Sequence, residues 1–191
     1  MDSKIIIFDG PDNVGKTTQI KLLMQNLICN PTYINYFPHI NGITQQESNN
    51  YNIILYNDMF TLMNKAFDKN RNLIFDRSYI SEFVYGKLYR NQNTEYIFHI
   101  EANGLHYLKN KLSIFLIIFI DNYKNLINRE DGNSFSINEK DKINEIKLFK
   151  KAYKKSNIKN KILINVDNKS KEEVNINVLN FLGLNDIKKN I

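Results

Sequence analysis

The 191-residue sequence contains no tryptophan, a single cysteine, three prolines and seven glycines. Because Cys29 is the only cysteine, no intramolecular disulfide can form, which suits a reducing compartment. The apolar run Ile114 to Ile120 is far too short to span a membrane, and residues 5–8 are too short for a secretion signal. The three histidines show no metal-ligand spacing. We expect a cytoplasmic protein without a membrane partner, located in the host cytoplasm if the source is viral.

The chain nevertheless has enough apolar residues and length for a sizeable core. Hydrophobic residues make up 42% of the sequence, and neither an internal repeat nor a linker rich in Pro, Gly or Ser interrupts it. We therefore expect one domain over residues 1–191. The formal net charge of +6 favours polyanionic ligands such as nucleotides and leaves DNA open as a partner. Much of the excess lies between Lys147 and Lys161, and we interpret that run as a solvated helix face.

Residues 10–17 match the phosphate-binding loop G-x-x-x-x-G-K-[ST], between an apolar run at 5–8 and a helical pattern from residue 20. Glycines let such a loop turn its N–H groups toward phosphate oxygens, and the following helix adds the positive end of its dipole. Lys16 can bridge the terminal phosphates of ATP, and the Thr17 hydroxyl can ligate Mg²⁺. The predicted ATP-binding residues are Gly10, Asn13, Val14, Gly15, Lys16, Thr17 and Thr18.

Strand and helix signals alternate along the whole sequence. The pattern predicts strands at 5–8, 32–36, 73–75, 112–120 and 162–166, and after the loop helices at 51–67, 79–89, 95–108, 121–128, 140–156 and 171–182. This alternation predicts an α/β protein of the P-loop NTPase type, in which a five-stranded parallel sheet lies between two helical layers. Ligands of such sheets bind beyond the carboxyl ends of the strands.

Asp76 and Arg77 follow a predicted buried strand directly. The carboxylate could hold Mg²⁺ or accept a proton from the acceptor, and the planar guanidinium could bind a phosphate through two parallel hydrogen bonds. The alternative is structural: Asp76 would cap a helix, and Arg77 would form a surface ion pair. Because a phosphate loop precedes the pair, we favour a catalytic role for both residues.

Three segments together resemble the thymidylate kinases. The opening Phe8-Asp9-Gly10-Pro11-Asp12-Asn13-Val14-Gly15-Lys16-Thr17-Thr18-Gln19 looks like the family's phosphate loop, which has an acidic residue two positions after the first glycine. Leu73-Ile74-Phe75-Asp76-Arg77-Ser78 looks like its Asp-Arg motif, and Tyr36-Phe37-Pro38-His39 is similar to its Phe-Pro-x-Arg motif. The order and spacing of the motifs fit the family over most of the chain.

The resemblance implies roles for individual residues. Asp12 would contact the 3′-hydroxyl of a deoxyribose, Asp76 would assist Mg²⁺ binding or the chemistry of the acceptor phosphate, and Arg77 would bind that phosphate. The loop of this chain contains no arginine, and family members of that kind usually have cations in a mobile lid. The lid would span about 129–138, with Arg129 as the catalytic cation. The resemblance also implies a homodimer.

Two departures from the family pattern leave the acceptor open. His39 stands where the Phe-Pro motif ends in arginine, and Asp58-Met59 stands where the family has Asn-Arg. Each lost charge-assisted contact is worth roughly 1.5–3 kcal/mol, so binding of a monophosphate would need other cations. Lys87 and Arg90 are candidate substitutes.

Three aromatic residues are candidates for stacking on a pyrimidine acceptor: Phe37, Tyr56 and Phe60. Aromatic residues at helical spacing usually pack in the core instead. Asp9 could act as a catalytic base toward a 5′-hydroxyl, as the corresponding acid does in the related deoxynucleoside kinases, whose third strand ends in a similar Glu-Arg-Ser.

The leading hypothesis is an ATP- and Mg²⁺-dependent kinase that phosphorylates a deoxynucleoside monophosphate, with dTMP as the first candidate. Two other kinases remain open: a deoxynucleoside kinase, and a phage enzyme acting on 5-hydroxymethyl pyrimidines in DNA. A nucleotide-dependent switch or binding module is the alternative that is not an enzyme. The acceptor is therefore expected to be a small nucleotide or nucleoside, with DNA less favoured.

Overall fold

Strands and helices alternate along residues 3–26, 32–35 and 44–184, the parts of the chain that the computed structural model describes. The strands are β1 (Ile5–Asp9), β2 (Thr32–Asn35), β3 (Leu73–Asp76), β4 (Ile114–Ile120) and β5 (Asn160–Asn165). The helices are α1 (Lys16–Asn26), α2 (Gln45–Asp68), α3 (Tyr79–Tyr89), α4 (Ile97–Tyr107), α5 (Tyr123–Asn128), α6 (Glu139–Lys155) and α7 (Lys171–Leu182), and a short 3₁₀ turn at Lys111–Ser113 precedes β4.

The five strands form one sheet in the order β2-β3-β1-β4-β5, and every neighbouring pair is parallel. β1 lies in the centre, so its carboxyl end is flanked by the ends of β3 and β4. Its five residues are all buried, because helices cover both faces of the sheet. The predicted five-stranded parallel sheet is confirmed.

Two apolar clusters lie on opposite faces of this sheet. Ile5 and Ile7 point into one, with side chains from α2, α3, α4 and α6. Ile6 and Phe8 point into the other, with side chains from α1 and α7. Successive side chains of a strand alternate between faces, so an unbroken apolar strand supplies both clusters. The predicted three-layer α/β/α arrangement is confirmed.

The largest difference from the sequence prediction is the start of α2, which lies six residues earlier than expected. Residues 45–50 are polar and carry no apolar periodicity, which is why the pattern missed them. Thr44 and Glu47 form a capping box: the Thr44 hydroxyl accepts from the Glu47 N–H, and the Glu47 carboxylate accepts from the Thr44 N–H. The spacing T-x-x-E was the available signal. Other boundaries differ by one or two residues.

Some sequence predictions lie outside the described residues, namely those for Cys29, Phe37 and the segment 36–39. Within residues 3–26, 32–35 and 44–184, no helix has both the length and the apolar character that crossing a bilayer requires.

Candidate active site

The phosphate loop connects the end of β1 to the start of α1, so its N–H groups lie at the positive end of a helix. Its first glycine is sterically required. Gly10 has a φ of 140°, and a Cβ there would lie 2.5 Å from the carbonyl oxygen of Phe119 on β4. Asn13 and Gly15 also have positive φ, 61° and 92°. The loop conformation that phosphate binding requires is therefore present, and strand β4 packs directly against it.

Lys16, the first residue of α1, points back into the loop. Its Nζ donates to the carbonyl oxygens of Gly10 at 3.0 Å and Pro11 at 2.7 Å. Burial, together with the neighbouring positive charge of Arg77, lowers the pKa of Lys16 from 10.5 to about 8. A cation with such a pKa is stabilised when phosphate oxygens approach.

Thr17 and Asp76 bring two oxygen ligands together, although 59 residues separate them in the chain. The Thr17 hydroxyl donates to Asp76 Oδ2 at 3.2 Å, and the Tyr33 hydroxyl donates to the same oxygen at 3.0 Å. Mg²⁺ prefers a few oxygen ligands from the protein together with water and substrate phosphates, so this pair fits it. The described residues contain no cluster of three acidic, histidine or cysteine side chains that would hold a metal without a phosphate.

Arg77 lies between β3 and α3 with a positive φ of 74° and is held by several acceptors. Its Nη2 forms an ion pair with Asp12 of the phosphate loop. Its Nη1 lies 3.3 Å from the Gly10 carbonyl oxygen and 3.0 Å from Ser81 Oγ, and the guanidinium lies 5.3 Å from the Tyr85 ring centre. These contacts fix the guanidinium beside the phosphate loop.

Asp9 does not have the geometry of a catalytic base. Its side chain is fully buried, Oδ2 accepts from Ser78 Oγ at 2.7 Å, and Oδ1 accepts from Ser81 Oγ at 2.5 Å. Burial raises the pKa of Asp9, and the two serine hydrogen bonds oppose that rise. Because Ser78 caps α3 and Ser81 contacts Arg77, Asp9 fixes the start of α3 and, through Ser81, the arginine.

Residues 129–138 lie between α5 and α6 and contact the phosphate loop. Asn13 Nδ2 donates at 3.2 Å to both Glu130 Oε2 and Ser134 Oγ. Farther along, the half-exposed Phe135 ring lies almost parallel to two rings of α3, at 5.2 Å from Tyr85 and 5.1 Å from Tyr89. Segment 129–138 therefore contacts both the phosphate loop and helix α3.

Arg129 starts this segment and forms an ion pair with Asp121, at the carboxyl end of β4. Its Nε donates to the carbonyl oxygen of Asn125 at 3.0 Å, and its side chain is 45% exposed. The guanidinium is thus held at the wall of the site by a buried carboxylate, while part of it still faces solvent.

One cavity of about 510 Å³ joins these groups. The phosphate loop, Thr18, Asp76, Arg77 and Arg129 all contribute to its wall. Of the predicted ATP-binding residues, Gly10 and Val14 do not contribute to the wall. The Val14 side chain is instead buried in the cluster formed with α1 and α7, so only the backbone of this residue could contact a phosphate.

The structure does not bring Tyr56 or Phe60 to this cavity, so their predicted stacking role is wrong for this conformation. Both side chains are buried in the core, where each packs against Tyr79, with ring centres 6.0 Å and 5.7 Å apart. A ring with almost no exposed surface cannot stack on a ligand. Both residues pack in the core, as aromatic residues at helical spacing usually do.

The two candidate substitute cations also lie elsewhere. Arg90 forms an ion pair with the buried Glu82, and Lys87 lies on the surface beside Glu95. Neither contributes to the wall of the cavity. Within residues 3–26, 32–35 and 44–184, the cations at the cavity are therefore Lys16, Arg77 and Arg129.

Sequence reasoning missed four residues that shape the site. Ser81 and Tyr85 follow Arg77 by four and eight residues, a helical spacing that could have placed them on the same face of α3. No sequence pattern marks Tyr33 as part of the site, because the register of β2 on β3 is what brings it near Asp76. The Asn13–Glu130 contact joins residues 117 positions apart and likewise had no local signal.

No protein-family model matches the chain, and no curated protein matches its sequence. Solved structures do match its fold. A thymidylate kinase from Candida albicans superposes with a TM-score of 0.69 at 13% identity, covering 98% of this chain and 94% of that one. The YorR protein of Bacillus subtilis, solved with phosphorylated GDP, gives 0.66 at 17%, covering 96% and 98%. A thymidylate kinase from Ehrlichia chaffeensis gives 0.63 at 16%, covering 96% and 100%. The chain therefore has the P-loop α/β fold of the thymidylate kinases, as its motifs predicted.

Proposed function

We propose that this protein is an ATP-dependent kinase that transfers the γ-phosphoryl group to a deoxynucleoside monophosphate, with dTMP as the first candidate. The observation that carries the proposal is the meeting of two sets of groups at one cavity. Lys16 and Thr17 form a donor side, which suits the triphosphate of ATP. Asp12 and Arg77 form an acceptor side, which suits the sugar and phosphate of a nucleotide.

Each residue at the cavity would have a separate role in phosphoryl transfer. The loop N–H groups and Lys16 would hold the β- and γ-phosphates, while Arg77 would orient the acceptor phosphate in line with the γ-phosphorus. Arg129, at the cavity wall, would neutralise charge that develops on the transferring group. Thr17 and Asp76 would hold Mg²⁺, which supplies further neutralisation of the phosphate oxygens when bound.

Segment 129–138 would serve as the lid over this reaction. Its contacts with Asn13 on one side and with the rings of Tyr85 and Tyr89 on the other support that role. A lid that covers both donor and acceptor sides excludes water, which otherwise competes with the acceptor for the phosphoryl group.

A monophosphate acceptor agrees with the site better than a nucleoside does. A nucleoside kinase needs a base beside the 5′-hydroxyl, and the carboxylate expected there, Asp9, is buried and hydrogen-bonded to two serines. Arg77 instead offers a cation for a phosphate that the acceptor already carries. Two of the solved relatives are thymidylate kinases, and the third was solved with phosphorylated GDP, so purine nucleotides belong among the acceptors to be tested.

The experiment is an ADP-release assay with ATP, Mg²⁺ and a panel of acceptors. The panel contains the four deoxynucleoside monophosphates, GMP, the matching nucleosides and an oligonucleotide with 5-hydroxymethyluracil. We expect turnover with at least one monophosphate and none with the nucleosides. Turnover confined to nucleosides or to the oligonucleotide would refute the proposal, and ATP binding without transfer to any acceptor would favour a binding module.

A further inference from the structure

We propose that Tyr33 is a positioning residue, whose phenol holds the Asp76 carboxylate in the orientation that metal binding requires. The inference rests on the proposed function, because it assigns Tyr33 to the Mg²⁺ site of that kinase. Tyr33 lies on β2, outside the sequence motifs that predicted the site. Its hydroxyl lies 3.0 Å from Asp76 Oδ2.

The sheet explains how a residue on another strand reaches this carboxylate. Among the described strands, β2 lies at the edge of the sheet and pairs with β3 alone, where Tyr33 lies opposite Ile74. Ile74 and Asp76 are two residues apart, so their side chains project from the same face of the sheet. A tyrosine side chain is long enough to run from its place beside Ile74 to the carboxylate at the end of β3. The contact therefore depends on the register of β2 against β3.

Two hydroxyl groups converge on a single oxygen of Asp76. Thr17 Oγ1 lies 3.2 Å from Oδ2, and the Tyr33 hydroxyl lies 3.0 Å from the same atom. A hydroxyl that ligates a metal through its oxygen can still donate its proton, so the Thr17 bond is compatible with metal binding. With Oδ2 held by two donors, the plane of the carboxylate is fixed relative to Thr17.

The Tyr33 phenol donates through its O–H, and the Asp76 carboxylate oxygen accepts. The residue as a whole is 41% exposed, so removing the hydroxyl leaves no cavity in the core. Tyr33→Phe therefore removes one hydrogen bond without opening a cavity.

The first test measures metal binding without turnover. Mn²⁺ binding to the protein with bound ADP is followed by electron paramagnetic resonance, for the wild type and for Tyr33→Phe. We expect the dissociation constant of Mn²⁺ to rise about tenfold in the variant, the lower end of what loss of a hydrogen bond to a charged group produces. Binding of ADP without metal should not change. Equal Mn²⁺ affinity in both proteins would overturn the inference.

The second test asks whether Tyr33 acts through Asp76. In a double-mutant cycle, Tyr33→Phe should weaken Mn²⁺ binding in the wild-type background and have no further effect in the Asp76→Asn background. An equal loss in both backgrounds would overturn the inference. Tyr51→Phe is the matched control, because Tyr51 is also half-exposed but lies on α2.

The same measurements separate this inference from the proposed function. If the wild type binds Mn²⁺ with ADP but phosphorylates no acceptor, the proposed kinase activity is refuted. The double-mutant cycle still decides whether Tyr33 acts on metal binding. If the wild type phosphorylates an acceptor and Tyr33→Phe needs no more Mg²⁺ for half-maximal rate than Tyr51→Phe, the inference fails while the kinase activity stands.

Discussion

Arg77 and Asp12 form an ion pair between the start of α3 and the phosphate loop, although 65 residues separate them in the sequence. Both side chains are largely buried, with 13% and 19% of their surfaces exposed. The pair joins two of the three motifs that gave the resemblance to thymidylate kinases. In the proposed kinase this pair would also define the acceptor side of the cavity, because a phosphate approaching Arg77 would meet a guanidinium whose orientation Asp12 fixes.

The first prediction concerns this arginine. In Arg77→Lys, we expect kcat/KM for the acceptor to fall by about tenfold to a hundredfold, while KM for ATP stays unchanged. An ammonium cannot reproduce the planar contact with a phosphate or the bonds to Gly10 and Ser81. Steady-state kinetics with each substrate varied in turn measure both constants. Arg71→Lys, on the surface before β3, is the control, and an equal loss there would contradict the assignment.

A second prediction follows from the pKa of Lys16. In the protein without ligand this pKa is about 8, so the ammonium is lost as pH rises above 8. ATP favours the charged form, so its affinity should fall above pH 8, and binding at pH 8.5 should take up to about one proton from the buffer. Calorimetry in two buffers of different ionisation enthalpy measures that uptake. Lys16→Ala should abolish both proton uptake and transfer, whereas Lys21→Ala, exposed on α1, should retain both.

The same shift has a consequence for folding. Between pH 8 and 10.5 the folded protein binds fewer protons at Lys16 than the unfolded chain does. The contribution of Lys16 to the free energy of unfolding should therefore rise with pH across this window in the absence of nucleotide. Urea unfolding of the wild type and of Lys16→Met at a series of pH values isolates the contribution of Lys16 to the free energy of unfolding. A wild-type minus variant difference that does not change with pH would contradict the assigned pKa.

A third prediction concerns Phe135, whose ring lies over Tyr85 and Tyr89. Aromatic contacts are worth about 0.5–1.5 kcal/mol each beyond burial, so Phe135→Ala should lower the population of the closed segment by about tenfold. We expect a lower kcat and a larger share of ATP lost to hydrolysis by water. The ratio of free phosphate to phosphorylated acceptor is the measurement. Ile137→Ala is the matched control, since Ile137 is 66% exposed in the same segment. An equal ratio in both variants would refute the role of Phe135 in holding the segment closed.

Asp9→Asn gives a fourth prediction, which separates positioning from base catalysis. Loss of a general base typically costs about a hundredfold to ten-thousandfold in rate. An asparagine can still accept from one serine hydroxyl, so a positioning role predicts a loss of about tenfold or less in kcat, together with a lower melting temperature. Kinetics and thermal unfolding of the same preparation give both values. A loss above a thousandfold with unchanged stability would restore Asp9 as the base.

The fifth prediction tests the core assignment of Phe60. Phe60→Ala should destabilise the protein by about 3–5 kcal/mol, because it opens a cavity against Tyr79. Gly104→Ala should also destabilise it, by about 1–3 kcal/mol, since a Cβ on Gly104 would collide with the Phe60 ring. Chemical denaturation measures both changes. At a temperature where the variants remain folded, the acceptor KM should match that of the wild type, and a tenfold rise would indicate a binding role instead.

How far the sequence predicts the fold depends on how local the signal is. Strand β4 is apolar over all seven residues, and the loop from Gly10 has a fixed spacing, so both could be placed from sequence. The polar first turns of α2 carry no apolar periodicity, and only the capping box at Thr44 marks the helix start.

The same distinction applies to the candidate site. The phosphate loop and Asp76-Arg77 were predicted because each is a short motif at a strand end. Tyr33 and the Asn13–Glu130 contact were not, because strand register and chain packing create them. Phe60 shows the opposite error: an aromatic residue at helical spacing looks the same in sequence whether it meets a ligand or the core.

Two carbonyl oxygens of the loop accept from Lys16 Nζ, at 3.0 Å and 2.7 Å, in the positions that phosphate oxygens would otherwise take. To bind a triphosphate, Lys16 would therefore have to give up its hydrogen bonds to Gly10 and Pro11. In the proposed kinase, nucleotide affinity would therefore reflect the difference between two hydrogen-bonded states of Lys16, and the loop would keep its conformation when no nucleotide is bound.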